Sequence, residues 1–476
     1  MKKILFVASE CVPFAASGGL GDVIGSLPAA LKKEYGEKAD IRVMIPLYAQ
    51  IKDEWRRQMT TVCKLEVPLS WRRQYCGVLT LEKDGITYYF LDNEYYFKRQ
   101  SLYGSFDDGE RYAFFCRAAL ESLQRIDFMP DILHAHDWQS ALTVVYLKYK
   151  YGLVPEYSRI KTVFTIHNIQ YQGIYDKYIL GDVFDISDSD EWVLEYGGCI
   201  NLMKGAIVCA DKVTTVSPTY AKEILSPQFS HGLHYVLEQH KGKISGILNG
   251  IDTEYYDPSK DEVIAAKYSP RGLKGKRTDK AALQKELGLP ISPSTPVIAV
   301  ISRLVDHKGI DLITFAADDI LKSDVQLAVL GTGDGYYEDF FRRLAQKYPQ
   351  KVALRLAFDK DLSRRIYAGA DIFLMPSRSE PCGLAQMIAS RYGAVPVVRE
   401  TGGLYDSIRD IGCPEGGNGF TFAPYSAWEL YQAVGRAVAY YAGKAQWETL
   451  VKTVMKWDFS WKKSAKQYIK QIYNFK

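Results

Sequence analysis

The sequence contains no cysteine pair in CxxC spacing, no uninterrupted apolar run of eighteen residues and no long block of like charge. Each absence excludes something. Cys11, Cys63, Cys76, Cys116, Cys199, Cys209, Cys382 and Cys413 lie mostly in apolar surroundings without paired spacing, which argues for reduced thiols in a cytoplasmic protein. The want of a long apolar run predicts no transmembrane helix. Sixty basic against 56 acidic residues leave a net charge of only +4, so neither nucleic acid nor an anionic membrane is called for as a partner. The opening MKKILFVASECVPFAAS has the two lysines and apolar run of a secretory signal. Glu10 and Pro13 cut that run short, and a first β-strand is the expectation.

One further lack is local. The stretch CVPFAASGGLGDV, residues 11 to 23, stands between an apolar run and the start of a helix, where a phosphate-binding turn belongs, yet it holds no Lys or Arg. Gly18, Gly19 and Gly21 match neither the dinucleotide fingerprint nor the P-loop. A tight turn that uses glycine for positive φ is as good a reading of these residues alone.

What is present is a chain of 476 residues, 47% hydrophobic, enough for two or three domains. Strand-like runs alternate with amphipathic stretches twice over. ILFVAS, IRVMIP, ITYYFLD, DILHAHD, KTVFTIHN and KVTTVS occupy the first half, with the hairpin LTLEKDGITYYFL turning at Asp84 and Gly85. PVIAVISR, VQLAVLG, KVALRLAF, ADIFLMPS, VPVVRE and GFTFA occupy the second. Near-continuous Val, Ile and Leu runs spaced by helices predict parallel sheets covered on both faces, hence an α/β protein of two doubly wound domains. The changeover is expected near KISGILNGID, residues 243 to 252.

Polar clusters rich in Gly, His and Arg follow these runs, at the strand ends where open α/β sheets collect ligands. In HAHDW, His134 and His136 point to one side of a strand, and a structural pair is preferred over a metal site because no third ligand is near. His167 closes the TVFTI strand beside Asn168. Arg303 and Lys308 are five apart across a strand-to-helix turn, and a guanidinium fork with a Lys point charge suits a diphosphate. Glu380, in SRSEPCGL, is either a helix cap or an acceptor for sugar hydroxyls.

In order, SGGLGDVIGSLP, LYGSFDDGERYAFF, HAHDWQSAL, FTIHNIQYQG, DKVTTVSPTYAKEI, GILNGID, ISRLVDHKG, LGTGDG, PSRSEPCGLAQM, RYG and TGGL closely resemble the bacterial glycogen synthases and plant starch synthases, from Met1 to DFSWKKSAKQYIKQIY. The resemblance implies a GT-B architecture: two facing Rossmann-like domains with a cleft between them, residues 1–244 on the acceptor side and 245–458 on the donor side, and a helix over 459–476 crossing back to the first domain. It implies a retaining transfer of glucose from ADP-glucose to the non-reducing end of an α-1,4-glucan, with no metal or other cofactor. Arg303 and Lys308 then neutralise the leaving diphosphate, with Thr401 and Gly402 near it; Ser17, Gly18 and Gly19 offer the donor their turn. His167, Asn249 and Glu380 bind glucose hydroxyls, Cys382, Gly383 and Leu384 continue that loop, and Asp22 and Asp137 line the cleft, Asp137 toward the acceptor.

The chain departs from the family pattern in two places. Ala16 and Ser17 stand where the family reads Lys-Thr, and Gln139 stands where bacterial members commonly carry His. The missing cation leaves open the use of another donor such as UDP-glucose, or a weakly active glucan-binding paralogue. Retention of Arg303, Lys308, His167 and Glu380 speaks against the paralogue. A phosphorylase is disfavoured for want of a pyridoxal phosphate lysine motif.

Overall fold

The computed structural model describes residues 1–475. The chain divides into two compact units, one comprising Met1–Val216, Ala221–Ile247 and the segment from Trp461 onward, the other Ser217–Tyr220 and Leu248–Ser460.

The first unit is built on a nine-stranded sheet. In chain order its strands are β1 (Lys2–Val7), β2 (Ala39–Pro46), β3 (Thr60–Leu69), β4 (Arg72–Lys83), β5 (Ile86–Asp92), β6 (Ile132–His136) and β7 (Lys161–Ile166). After them come β8 (Ile174–Asp176), β9 (Glu195–Tyr196) and β10 (Cys199–Asn201), which form a separate three-stranded sheet, then β11 (Lys212–Thr215) and β12 (Ile244–Gly246). The large sheet runs β12-β11-β7-β6-β1-β2-β5-β4-β3, parallel from β12 to β5 and antiparallel for β4 and β3. All six runs expected in this half are strands, and the Asp84-Gly85 turn has both residues at positive φ, as a two-residue hairpin requires. β1 and β6 sit at the middle: Ile4–Val7 of β1 are apolar and buried, and β6 is buried throughout, its His134 and His136 included. The segment from Trp461 packs on the same unit: Lys2 Nζ donates to the Tyr473 carbonyl at 2.6 Å, and Lys212 Nζ to those of Gln471 and Ile472 at 2.8 and 2.7 Å.

The second unit holds β13 (Val297–Ile301), β14 (Gln326–Leu330), β15 (Val352–Arg355), β16 (Ile372–Met375), β17 (Val395–Arg399) and β18 (Phe420–Phe422) in the order β15-β14-β13-β16-β17-β18, all parallel. This is the doubly wound Rossmann order, and its direction of winding reverses between β13 and β16. In the first unit the reversal lies at β1, flanked by β2 and β6. At such a point the loops leaving adjacent strands diverge to opposite faces and open a crevice at their carboxyl ends. Five strands were not read as apolar runs: β3, whose outer half is exposed, and the short β8, β9, β10 and β12.

Candidate functional sites at the two switch points

In the second unit, β13 delivers Arg303 and Lys308 and β16 delivers Glu380, from the two sides of the switch point. Lys308 Nζ donates to both Glu380 carboxylate oxygens, at 2.7 and 2.9 Å, and Ser377 Oγ donates to the nearer of them at 3.0 Å. Glu380 is therefore no helix cap: the following helix, Ala385–Arg391, begins five residues later, and the carboxylate is turned back on Lys308. Arg303 is exposed and its guanidinium makes no hydrogen bond or ion pair among the described residues. Between the two cations, His307 is pushed down to about 4, first by burial and then by the charges of Lys308 and Arg303.

Two glycines let these loops meet. Gly309 has φ +72, and a Cβ there would stand 2.0 Å from the Pro376 carbonyl oxygen, so only glycine permits the turn after Lys308 to lie against the segment leading to Glu380. A Cβ on Gly403 would stand 2.0 Å from the Cys382 carbonyl, while its N–H donates to the Glu380 carbonyl at 3.0 Å. Thus the turn carrying fully buried Thr401 and Gly402 is set against Cys382, Gly383 and Leu384. Asn249 joins them: its backbone amide is hydrogen-bonded to the Cys382 thiol, which burial pushes up to about 12. The Asn249 side chain is buried, and its Oδ1 has no partner among the described residues. The crevice thereby joins an exposed guanidinium, a largely buried Lys-Glu pair and an unused amide oxygen.

At the switch point of the first unit the decisive residue is Glu10, which the sequence reading used only to rule out a signal peptide. It is 3% exposed. Its carboxylate accepts from Ser17 N–H at 2.6 Å, Ser17 Oγ at 2.7 Å, Gly18 N–H at 3.1 Å and the Tyr103 hydroxyl at 2.6 Å. The glycine turn does cradle an anion, but that anion is a side chain of the protein itself, and the Gly18 amide expected to face a phosphate is spent on it. Glu10 forms no ion pair among the described residues, and four donors do the work of a cation. Ala16, Ser17, Gly18, Gly19 and Asp22 are exposed.

Beyond β6, Asp137 adopts φ +55, a conformation unfavourable for a residue with a Cβ, and its Oδ1 accepts from the backbone N–H of His167 at 2.7 Å. Burial pushes the Asp137 carboxyl up to about 7, against the pull of the His167 and Asn168 N–H groups and with a further push from the charge of Glu10. Burial lowers His167 to about 3. His134 and His136 do point to one side, their ring centroids 4.1 Å apart. His134 binds the Tyr473 hydroxyl at 2.8 Å and Thr165 Oγ1 at 2.6 Å, which accounts for both of its nitrogens. Gln139 is buried, with Oε1 unpartnered among the described residues.

The comparisons with known proteins can now be set beside this geometry. Residues 3–239 match the starch synthase catalytic domain family, and residues 285–445 match glycosyl transferases group 1. The chain is 48% identical over 475 residues to the glycogen synthase of Anoxybacillus flavithermus, covering 99% of this chain and 97% of that protein. It is 47% identical over 474 residues to that of Geobacillus stearothermophilus, with the same coverage. The solved structure of the catalytic domain of starch synthase IV from Arabidopsis thaliana, bound to ADP and acarbose, superposes with a TM-score of 0.91 at 34% identity, covering 98% of each chain. Sucrose-phosphate synthase from Thermosynechococcus elongatus shares the fold, with a TM-score of 0.62 at 17% identity over 99% and 98% of the two chains. Two Rossmann-like units with polar loops at both switch points are those of a GT-B glycosyltransferase. Within that class the chain belongs to the glycogen and starch synthase family.

Proposed function

We propose that the protein is a glycogen synthase that transfers glucose from ADP-glucose to the non-reducing end of an α-1,4-glucan, with retention of configuration. The observation that carries the reading is the Lys308-Glu380 pair at the second unit's switch point, with the uncommitted Arg303 on the same turn. A nucleoside diphosphate leaves as a polyanion, and its growing charge calls for fixed cations at the bond that breaks. Arg303 and Lys308 supply them, and Thr401 and Gly402 border the phosphates. Glu380, charge-paired and held by Ser377, accepts from glucose hydroxyls, and the unpartnered Asn249 Oδ1 offers a second acceptor. Cys382, Gly383 and Leu384 complete that wall of the donor site. ADP in the related starch synthase structure supports the nucleotide, and acarbose there supports a glucan acceptor.

In the first unit, His167 binds a hydroxyl of the transferred glucose, Asp137 faces the acceptor, and Ser17, Gly18, Gly19 and Asp22 border the donor. The turn shapes the site through Glu10 and brings no charge of its own. Ala16 favours a second reading, in which UDP-glucose competes as donor. The eight cysteines are all free, which supports a cytoplasmic location; among the described residues no helix is long and apolar enough to cross a membrane. Steady-state incorporation of glucose into glycogen from ADP-glucose and from UDP-glucose tests the reading. A higher kcat/KM with ADP-glucose is expected; a preference for UDP-glucose replaces the donor, and no incorporation from either removes the activity.

A further inference from the structure

His136 and His167 are joined ring to ring, Nδ1 of the first lying 3.0 Å from Nε2 of the second. Burial holds both neutral: it lowers His167 to about 3, and it lowers His136 well below the ordinary range, helped by His134 and His167. A hydrogen bond between two neutral imidazoles contains one proton. Which ring owns it decides what each offers at its other nitrogen.

The other nitrogen of His136, Nε2, is buried and has no hydrogen-bond partner among the described residues. The ring is stacked on Phe6, centroids 5.4 Å apart and planes at 13°, and tilted against His134, whose two nitrogens are already engaged. Were the shared proton on His167 Nε2, His136 would carry its own at Nε2, leaving a buried N–H donor without an acceptor, which costs that group its hydration with nothing in return. With the proton on His136 Nδ1, Nε2 is only a bare lone pair. Unsatisfied acceptors are tolerated better than orphaned donors.

We infer that His136 is a positioning residue that holds His167 as its Nδ1–H tautomer, so that His167 offers a donor, and not an acceptor, to the group it meets. The rest of His167 is fixed to match: its backbone N–H is held by Asp137 Oδ1, and its Nδ1 has no hydrogen-bond partner among the described residues. A sugar hydroxyl meeting that N–H accepts from it, and its own proton is left to point elsewhere. Only this last consequence rests on the reading of His167 as a sugar-binding group.

The test is a long-range proton-nitrogen correlation spectrum of the full chain labelled with ¹⁵N-histidine, near neutral pH. His167 is assigned by its loss in His167→Gln. Wild type is expected to show His167 protonated at Nδ1. His136→Asn, whose amide N–H stands in for Nδ1–H, should keep that signature, and His136→Asp, which offers His167 Nε2 only an acceptor, should put a proton on Nε2. Nε2–H at His167 in the wild type overturns the inference, even if no variant folds, and so does an unprotonated Nε2 in His136→Asp. In glucosyl transfer, His136→Asp should lower kcat by about tenfold or more, as loss of an aimed donor does, with partial recovery in His136→Asn. A shifted tautomer with unchanged kcat sustains the assignment and overturns the sugar-binding role of His167.

Discussion

Lys308 Nζ bridges the two carboxylate oxygens of Glu380, at 2.9 and 2.7 Å, across the point where the winding of the second sheet reverses. The two residues are 72 apart in sequence and arrive on different strands, so the ion pair welds the crevice together. Lys308→Ala and Glu380→Gln should therefore each lose more than about 2 kcal/mol of transition-state stabilisation, since each removes one aimed charge and leaves its partner uncompensated. The double variant should lose less than the sum of the singles, because neither group is then left alone. Steady-state kinetics of the three variants measure this, and changes in kcat/KM below about threefold in both single variants would place the diphosphate elsewhere.

Arg303 behaves differently because it is exposed and its guanidinium makes no hydrogen bond or ion pair among the described residues. Arg303→Ala should leave Tm within a degree or so, as exposed substitutions do, while kcat/KM falls by about 2 kcal/mol or more. The loss should shrink as salt rises, because an exposed guanidinium is screened even in the wild type. A fall in Tm as large as that of Lys308→Ala would mean that Arg303 has a structural task.

Gly309 is the backbone hinge of the same site. Gly309→Ala should destabilise the second unit by about 1 kcal/mol or more, through strain at φ +72 and the clash with the Pro376 carbonyl. Because that shift displaces Lys308, kcat/KM should fall further than stability alone accounts for. Thermal melts alongside kinetics separate the two effects, and unchanged values of both would contradict the close approach.

Asp137 gives a pH signature of definite sign. Its carboxyl titrates near 7 in the folded chain against 3.8 ordinarily, so between those values the native state holds the extra proton and this group's contribution to stability falls as pH rises. His167, lowered to about 3, acts oppositely: its contribution is complete above its ordinary 6.5 and is lost as pH falls toward 3. Asp137→Asn removes only the first effect. The stability of this variant relative to wild type should therefore rise from pH 4 to pH 7, with a slope of at most about 1.4 kcal/mol per pH unit. Unfolding curves across that range check it, and a difference independent of pH would show that Asp137 titrates normally.

The parts of this molecule legible in the sequence are those set by short-range pattern. Buried parallel strands must be apolar on both faces, so all twelve expected runs are strands; β3 escaped because its TTVCKLE half is solvent-exposed and alternates weakly. The loop residues were legible as polar clusters at strand ends, yet their partnerships were not. Nothing within reach of Glu10 in sequence reveals that Tyr103, 93 residues away, closes its hydrogen-bond shell. The one available signal was a carboxylate placed directly after a buried strand, where a charge must find donors. Likewise Lys308 and Glu380 each read as ligand-facing, and only the sheet order shows that they face each other.

The account's central claim is glucosyl transfer from ADP-glucose to the non-reducing ends of an α-1,4-glucan, and one measurement addresses it directly. Purified protein is incubated with glycogen and ADP-glucose labelled in the glucose, and the recovered polymer is digested with β-amylase, which removes maltose from α-1,4-linked non-reducing ends. The account predicts that label enters the polymer and is released as maltose, and that Glu380→Gln abolishes most of the incorporation. Label that stays on the nucleotide, appears only as free glucose, or enters a polymer resistant to β-amylase would contradict it.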